Sequence, residues 1–138
     1  MIIEYHRPEK LEQALDLLER KNPKTIPLGG GTILSRRTDS SVAVVDLQAL
    51  RLNSIQLKKN ICSFGSMTRL QDIVMNLDLP EGVRKSAQRE TNINLRRTAS
   101  LGGLLMTSDG SSPFLGCLLA LGARIIWEGE DKSKYLGE

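Results

Sequence analysis

The chain has 138 residues, 40% of them hydrophobic and 25% charged, which supplies the apolar material for one domain with its own core. A formal net charge of +3 from interspersed signs, with only 4% aromatic residues, argues against nucleic-acid binding, which draws on basic stripes and stacking rings. Met1-Ile2-Ile3 runs directly into Glu4 and Arg7, unlike a secretion signal, and no apolar run is long enough for a bilayer, so a cytoplasmic protein with no membrane partner is expected.

Tyr5-His6-Arg7-Pro8 reads as an extended entry, because the residue before a proline is pushed toward β geometry. His6, the single histidine, is read as structural. From Pro8, Leu11, Ala14, Leu15, Leu17 and Leu18 recur at helical spacing, with Glu9, Glu12, Asp16 and Glu19 on the other face. The helix is expected to open at Pro8, to close with basic Arg20 and Lys21, and to end at Asn22-Pro23.

Thr25-Ile26-Pro27-Leu28 is then a short strand that delivers Gly29-Gly30-Gly31-Thr32-Ile33-Leu34-Ser35. Glycines permit positive φ and close backbone approach, so their successive N–H groups can form a nest for an anion. Phosphate is the natural guest, and Thr32 adds a hydroxyl. A plain glycine-rich turn leaves the same pattern, and the run matches neither a P-loop, for want of a lysine, nor a dinucleotide-binding turn.

Val42-Ala43-Val44-Val45-Asp46-Leu47 has the continuous β-branched character of a buried strand. Ser54–Leu57 and Ile61–Gly65, joined by Lys58-Lys59-Asn60, form an expected antiparallel hairpin. Thr68 is placed as the N-cap of a helix from Arg69 to about Asn76, with Leu70, Ile73, Val74 and Leu77 as its apolar stripe, and Pro80 opens another helix that runs to about Glu90. The polar stretch Thr91–Arg97 leads into Ala99-Ser100-Leu101-Gly102-Gly103, a second hydroxyl beside paired glycines, suited to the second phosphate of a pyrophosphate. Arg96 and Arg97 either neutralise phosphate there or form a solvated basic turn.

Thr107–Pro113 reads as a polar loop, Phe114–Leu121 as a buried helix closed by Gly122, and Ala123–Glu128 as a strand, while the charged tail Glu130–Lys134 offers no core. Cys62 and Cys117 lie far apart, without CxxC spacing or a metal set that His6 would complete, and are read as core thiols. No residue stands out as a catalytic acid, base or nucleophile, and no metal site is expected.

Tyr5-x-Arg7-Pro8, Pro27-Leu28-Gly29-Gly30-Gly31-Thr32-x-Leu34, Gly65-Ser66-Met67-Thr68-Arg69-Leu70-x-Asp72-Ile73, and Asn94-x-Arg96-x-x-Ala99-Ser100-Leu101-Gly102-Gly103 with Leu119-Ala120-Leu121-Gly122-Ala123 follow one another in the order of a known family. Over nearly its whole length the chain resembles the FAD-binding domain, or medium subunit, of the xanthine dehydrogenase and carbon monoxide dehydrogenase flavoproteins. The resemblance implies an α+β, two-lobed FAD-binding domain of the p-cresol methylhydroxylase type over residues 1–138. A small βαβ-containing lobe would occupy about 1–53, and an incomplete second lobe 54–138.

The resemblance assigns the FAD pyrophosphate to two groups, Leu28, Gly29, Gly30, Gly31, Thr32 and Ile33 in one and Ala99, Ser100, Leu101, Gly102 and Gly103 in the other. It further implies a flavin that relays electrons from an iron–sulfur subunit to an acceptor such as NAD, with substrate oxidised on a molybdenum-cofactor subunit. Ile33 stands where many relatives carry an acid, Leu104 replaces a usual polar residue, and Pro113 sits where an Asp commonly contacts nucleotide, a role for which Asp109 is the substitute. Relatives also continue beyond Glu138, so a truncated or split domain is expected, completed by self-association or by a complementary flavin-domain polypeptide. The alternative is a flavin-free adaptor that keeps the fold and the partner surface.

Overall fold

The computed structural model describes residues 1–33 and 40–127, and the backbone of 133–135. Leu34 and Ser35 of the glycine motif, Glu128 at the end of the expected last strand, and Glu130-Asp131-Lys132 of the tail lie outside the described residues.

Strand β1 (Ile2–His6), helix α1 (Leu11–Leu18), and strands β2 (Thr25–Leu28) and β3 (Val42–Asp46) build the first part of the molecule. The strands form one parallel sheet in the order β1-β3-β2. All five residues of β3 are buried, which is why that run carries no polar alternation. Parallel pairing aligns the carboxyl ends of β2 and β3, where Leu28 faces Asp46 and the Leu47 N–H donates to the Leu28 carbonyl at 3.1 Å.

Helix α1 is shorter than its periodicity predicts. Lys10 is still extended at φ −118° and ψ 142°, so buried Pro8 belongs to the approach and not to a first turn. Arg20 and Lys21 fall beyond the helix, and Arg20 instead donates from Nη1 to Glu4 Oε2 at 3.0 Å. A hydrogen bond from His6 and, after it, this Arg20 contact hold the Glu4 carboxyl below its ordinary range.

The second part opens with a hairpin of β4 (Ile55–Lys58) and β5 (Ile61–Phe64), turning at Lys59 with φ 53°. Helices α2 (Leu70–Met75), α3 (Glu81–Glu90), α4 (Ile93–Arg96), α5 (Leu101–Thr107) and α6 (Pro113–Ala120) follow. Strand β6 (Arg124–Ile126) pairs antiparallel with β7 (Ser133–Tyr135), so part of the charged tail, expected to offer no core, adds a strand. The core gathers Phe114, which is fully buried, with Leu70, Ile73, Val83, Ala87 and Leu101, and Cys62 and Cys117 pack half-buried against it as free thiols.

Several local expectations change. Thr68 does not cap α2: its hydroxyl is fully buried and donates to the Ser54 carbonyl at 3.2 Å, leaving Arg69 in the cap position. Leu77 lies past the end of α2 with 79% of its surface exposed. The stretch after α3 contains α4, capped by Asn92 Oδ1 accepting from the Leu95 N–H at 3.0 Å. Helix α6 ends as expected, with Gly122 at φ 64° and the N–H groups of Gly122 and Ala123 donating to the carbonyls of Leu119 and Leu118. At its start, Glu90 Oε2 accepts from the Ser112 hydroxyl at 2.7 Å and from the Phe114 N–H at 3.1 Å.

Candidate functional site

The two glycine groups, distant in sequence, meet in space. A Cβ on Gly29 would stand 2.7 Å from Ser100 Oγ, and one on Gly30 would stand 1.8 Å from the Thr98 carbonyl oxygen and 3.1 Å from Ala99 Cα. At both positions the missing side chain allows close packing within the chain. Gly31 is different. Its φ of 71° is left-handed, and a Cβ there would meet only Leu28 Cδ1 at 3.6 Å, so backbone conformation and not crowding calls for glycine. Among the described residues, no hydrogen bond joins the N–H of Gly30 or Gly31 to an acceptor. Thr32 follows half-buried in the same turn, and Ile33 is 43% exposed. This first group is therefore a backbone cradle of the kind that fits a phosphate.

The second group is a helix start and not a loop. Ser100 caps α5, its Oγ accepting from the Gly103 N–H at 3.2 Å. The Leu101 N–H donates to the Thr68 carbonyl at 2.8 Å and the Gly102 N–H to the Ser66 carbonyl at 2.7 Å. Gly102 has its own steric reason, since a Cβ there would come within 3.0 Å of the Ser66 oxygen. These amides are committed inside the chain, and buried Ser100 lies beneath Gly29 as a support for the first group. Asp109 is exposed in the loop that α5 leads into, where its Oδ1 accepts from the Ser111 hydroxyl at 2.6 Å and the Ser111 N–H at 3.2 Å. Those bonds depress its carboxyl pKa, and no hydrogen bond or ion pair among the described residues joins it to the glycine run.

Neither alternative for Arg96 holds. Its Nε donates to Gln71 Oε1 at 3.0 Å and its Nη1 to the carbonyls of Gln88 and Thr91, so it ties α2, α3 and α4 together. Arg97 is exposed.

Asp46 is the residue that sequence reasoning passed over. Buried at the end of β3 beside Leu28, it accepts from the Tyr5 hydroxyl and, at 2.9 Å, from the Gln48 N–H, with Arg7 Nε at 3.8 Å. The bond to this carboxylate raises the Tyr5 phenol above its ordinary value. One acid closing an otherwise apolar strand was the available signal. Next to Gly29, whose Cβ position lies 3.7 Å from Met67 Sδ, an open recess of about 360 Å³ is lined by Arg7, Gln48, Asn53, Met67, Arg69 and Asp72. Among the described residues, no cluster of three or more His, Cys, Asp or Glu is placed to hold a metal, and no helix is long and apolar enough to cross a membrane.

The family described as the FAD binding domain in molybdopterin dehydrogenase matches residues 1–136. YgfM of Escherichia coli K12 is 29% identical over 130 residues, covering 92% of this chain and 50% of that protein. The glyceraldehyde dehydrogenase medium chain of Sulfolobus acidocaldarius is 30% identical over 138 residues, covering 94% of this chain and 49% of that one. The chain thus spans about half the length of the curated relatives it matches. In structure it superposes with a TM-score of 0.82 at 21% identity on a chain of cyanide-inactivated Cu,Mo-CO dehydrogenase, covering 98% of this chain and 50% of that one. A chain of quinoline 2-oxidoreductase from Pseudomonas putida 86 gives 0.81 at 22% identity, with 96% and 50% covered. These structures share the fold, a mixed α+β arrangement, and the match over residues 1–136 shows that this chain belongs to the family of FAD-binding domains of molybdopterin dehydrogenases, whose cofactor is FAD.

Proposed function

We propose that the chain holds the FAD pyrophosphate in the electron-transfer subunit of a molybdenum hydroxylase-type oxidoreductase, working in the cytoplasm with a molybdenum-cofactor subunit and an iron–sulfur subunit. The observation that carries this reading is the left-handed Gly31 beside uncommitted Gly30 and Gly31 amides, on a loop braced from below by Ser100. A relative named as a medium chain supports the subunit role. Bound FAD would take up electrons and pass them to an acceptor such as NAD, a chemistry that belongs to the cofactor.

The chain's own residues bind and orient. The Gly30 and Gly31 N–H groups and the Thr32 hydroxyl would receive phosphate oxygens, and Gly29 and Gly30, locked against Ser100 and Thr98, keep those donors in place. In this reading residues 1–53 and 54–138 are the two lobes, and Ala99 to Gly103 join them at the cradle. Ile126 and Trp127 are 75% and 47% exposed, which supports association with a further flavin-domain polypeptide or with a second copy.

The deciding measurement is the visible spectrum of the protein titrated with FAD, with ADP and riboflavin as competitors. FAD uptake that ADP competes for and riboflavin does not is expected. Failure of ADP to compete would remove the pyrophosphate cradle. The flavin-free adaptor is favoured by one observation, that the amides of Leu101, Gly102 and Gly103 are all occupied within the chain, and a protein that ignores FAD yet co-purifies with molybdenum or iron–sulfur subunits would establish it.

A further inference from the structure

The recess beside Gly29 lies outside the glycine cradle, and its walls carry two cations. Arg7 comes from the exit of β1 and Arg69 from the residue before α2, far apart in the chain. Arg69 has no hydrogen-bond or ion-pair partner for its guanidinium among the described residues. Arg7 has one contact, at 3.8 Å, to an Asp46 carboxylate that already accepts from Tyr5 and Gln48. Asp72 lines the same wall, yet it forms no ion pair with either arginine among the described residues.

Two guanidinium groups border one hollow, and among the described residues most of their N–H donors are uncommitted, with Asp46 near one of them and Asp72 on the wall. Planar guanidinium forks match the oxygens of phosphate, and the side chains of Gln48 and Asn53 add neutral donors to the lining. At about 360 Å³ the hollow sits at the lower end of the roughly 300–1,000 Å³ typical of small-molecule sites, ample for a phosphate group and the start of what carries it. We propose that this recess is a phosphate subsite, in which Arg7 and Arg69 grip one phosphate group from opposite parts of the chain. It stands apart from the cradle reading, because none of the residues from Gly29 to Ile33 lines it.

Calorimetric titration of the full chain with inorganic phosphate at low ionic strength tests it. Saturable binding is expected, weakened tenfold or more by Arg69→Gln, less by Arg69→Lys, and progressively by added salt. Lys85→Gln, on an exposed face of α3, should leave this binding unchanged, and its loss on Arg69→Gln places the phosphate in the recess and not in the cradle. If the phosphate belongs to FAD, FAD displaces inorganic phosphate and Arg69→Gln weakens both. If it belongs to a separate molecule, the FAD-loaded chain binds phosphate as the free chain does. Absence of saturable binding overturns the proposal, as does binding that Arg69→Gln leaves unchanged with an unaltered circular dichroism spectrum. Should Arg7→Gln unfold the chain, exposed Arg69 decides alone.

Discussion

Gly30 lies against the backbone of Thr98 so tightly that a Cβ on it would stand 1.8 Å from the Thr98 carbonyl oxygen and 2.6 Å from the carbonyl carbon. Both partners are main chain, and neither can rotate away as a flexible side chain would. Gly30→Ala must therefore move one segment relative to the other. Overpacking of this kind costs about 1–3 kcal/mol or more. A lowered melting temperature together with lost FAD binding is expected, and a variant as stable as the parent would show that the two segments separate readily.

Gly31→Ala separates binding from folding. It has room, with Leu28 Cδ1 the nearest atom at 3.6 Å, but φ 71° disfavours an L side chain by roughly 1–2 kcal/mol. The fold should survive with a modest loss of stability, while FAD affinity falls as the loop relaxes to a negative φ. Gly31→Val should weaken FAD by at least about tenfold. Unchanged FAD affinity in a folded variant, read by the flavin absorbance, would remove Gly31 from the site.

Gly29 and Ser100 should behave as a coupled pair. Ser100→Ala removes the α5 cap, at a cost of about 0.5–2 kcal/mol. Gly29→Ala brings a methyl group to within 2.7 Å of Ser100 Oγ. In the double variant that oxygen is gone, so the double loss should be smaller than the sum of the singles. Chemical denaturation of all four proteins gives the coupling, and strict additivity would mean that the two positions do not touch.

The three hydrogen bonds of Arg96 predict a stability effect without a binding effect. Arg96→Ala frees Gln71 and leaves the carbonyls of Gln88 and Thr91 without this donor, a loss of about 1.5–3 kcal/mol for bonds from a charged group. Denaturant midpoints should fall while phosphate and FAD affinities hold. A selective drop in phosphate affinity would restore Arg96 as an anion contact.

Tyr5 links the sheet to alkaline pH. Its phenol pKa is raised above 10.0 chiefly by the hydrogen bond to Asp46, so the folded state favours the protonated form. The stabilisation is complete below pH 10.0 and is lost as pH climbs through the higher folded value. Tyr5→Phe should be less stable at neutral pH and show a flatter alkaline decline. Identical alkaline profiles for parent and variant would mean that the bond does not form in solution.

Where apolar pattern alone decides structure, the sequence was informative. Thr25–Leu28 forms the strand its composition predicts, β3 is buried throughout, and Gly122 ends α6 by the expected route. Three of the misses share a cause: a polar group engages a partner that local pattern does not reveal. Thr68 turns from capping to the Ser54 carbonyl, Arg20 leaves its helix for Glu4, and Arg96 on α4 reaches acceptors on α2, on α3 and on the residue that closes α3. The two glycine groups were found, but their roles differ. Composition marks both as places that favour glycine and does not say whether the reason is a left-handed backbone, as at Gly31, or the close approach of the chain itself, as at Gly30 and Gly102.

The strand order β1-β3-β2 also constrains how the chain assembles. Strands β1 and β2 do not pair with each other, and each finds its hydrogen-bonding partner only in β3. During synthesis the backbone edges of β1 and β2 stay unpaired until the segment ending at Asp46 clears the exit tunnel. Because β3 must dock between two strands already made, sheet formation waits on one late, non-local closure that slows the folding of this region. The same event fixes Leu28 beside Asp46, so the glycine cradle acquires its geometry in the step that completes the sheet.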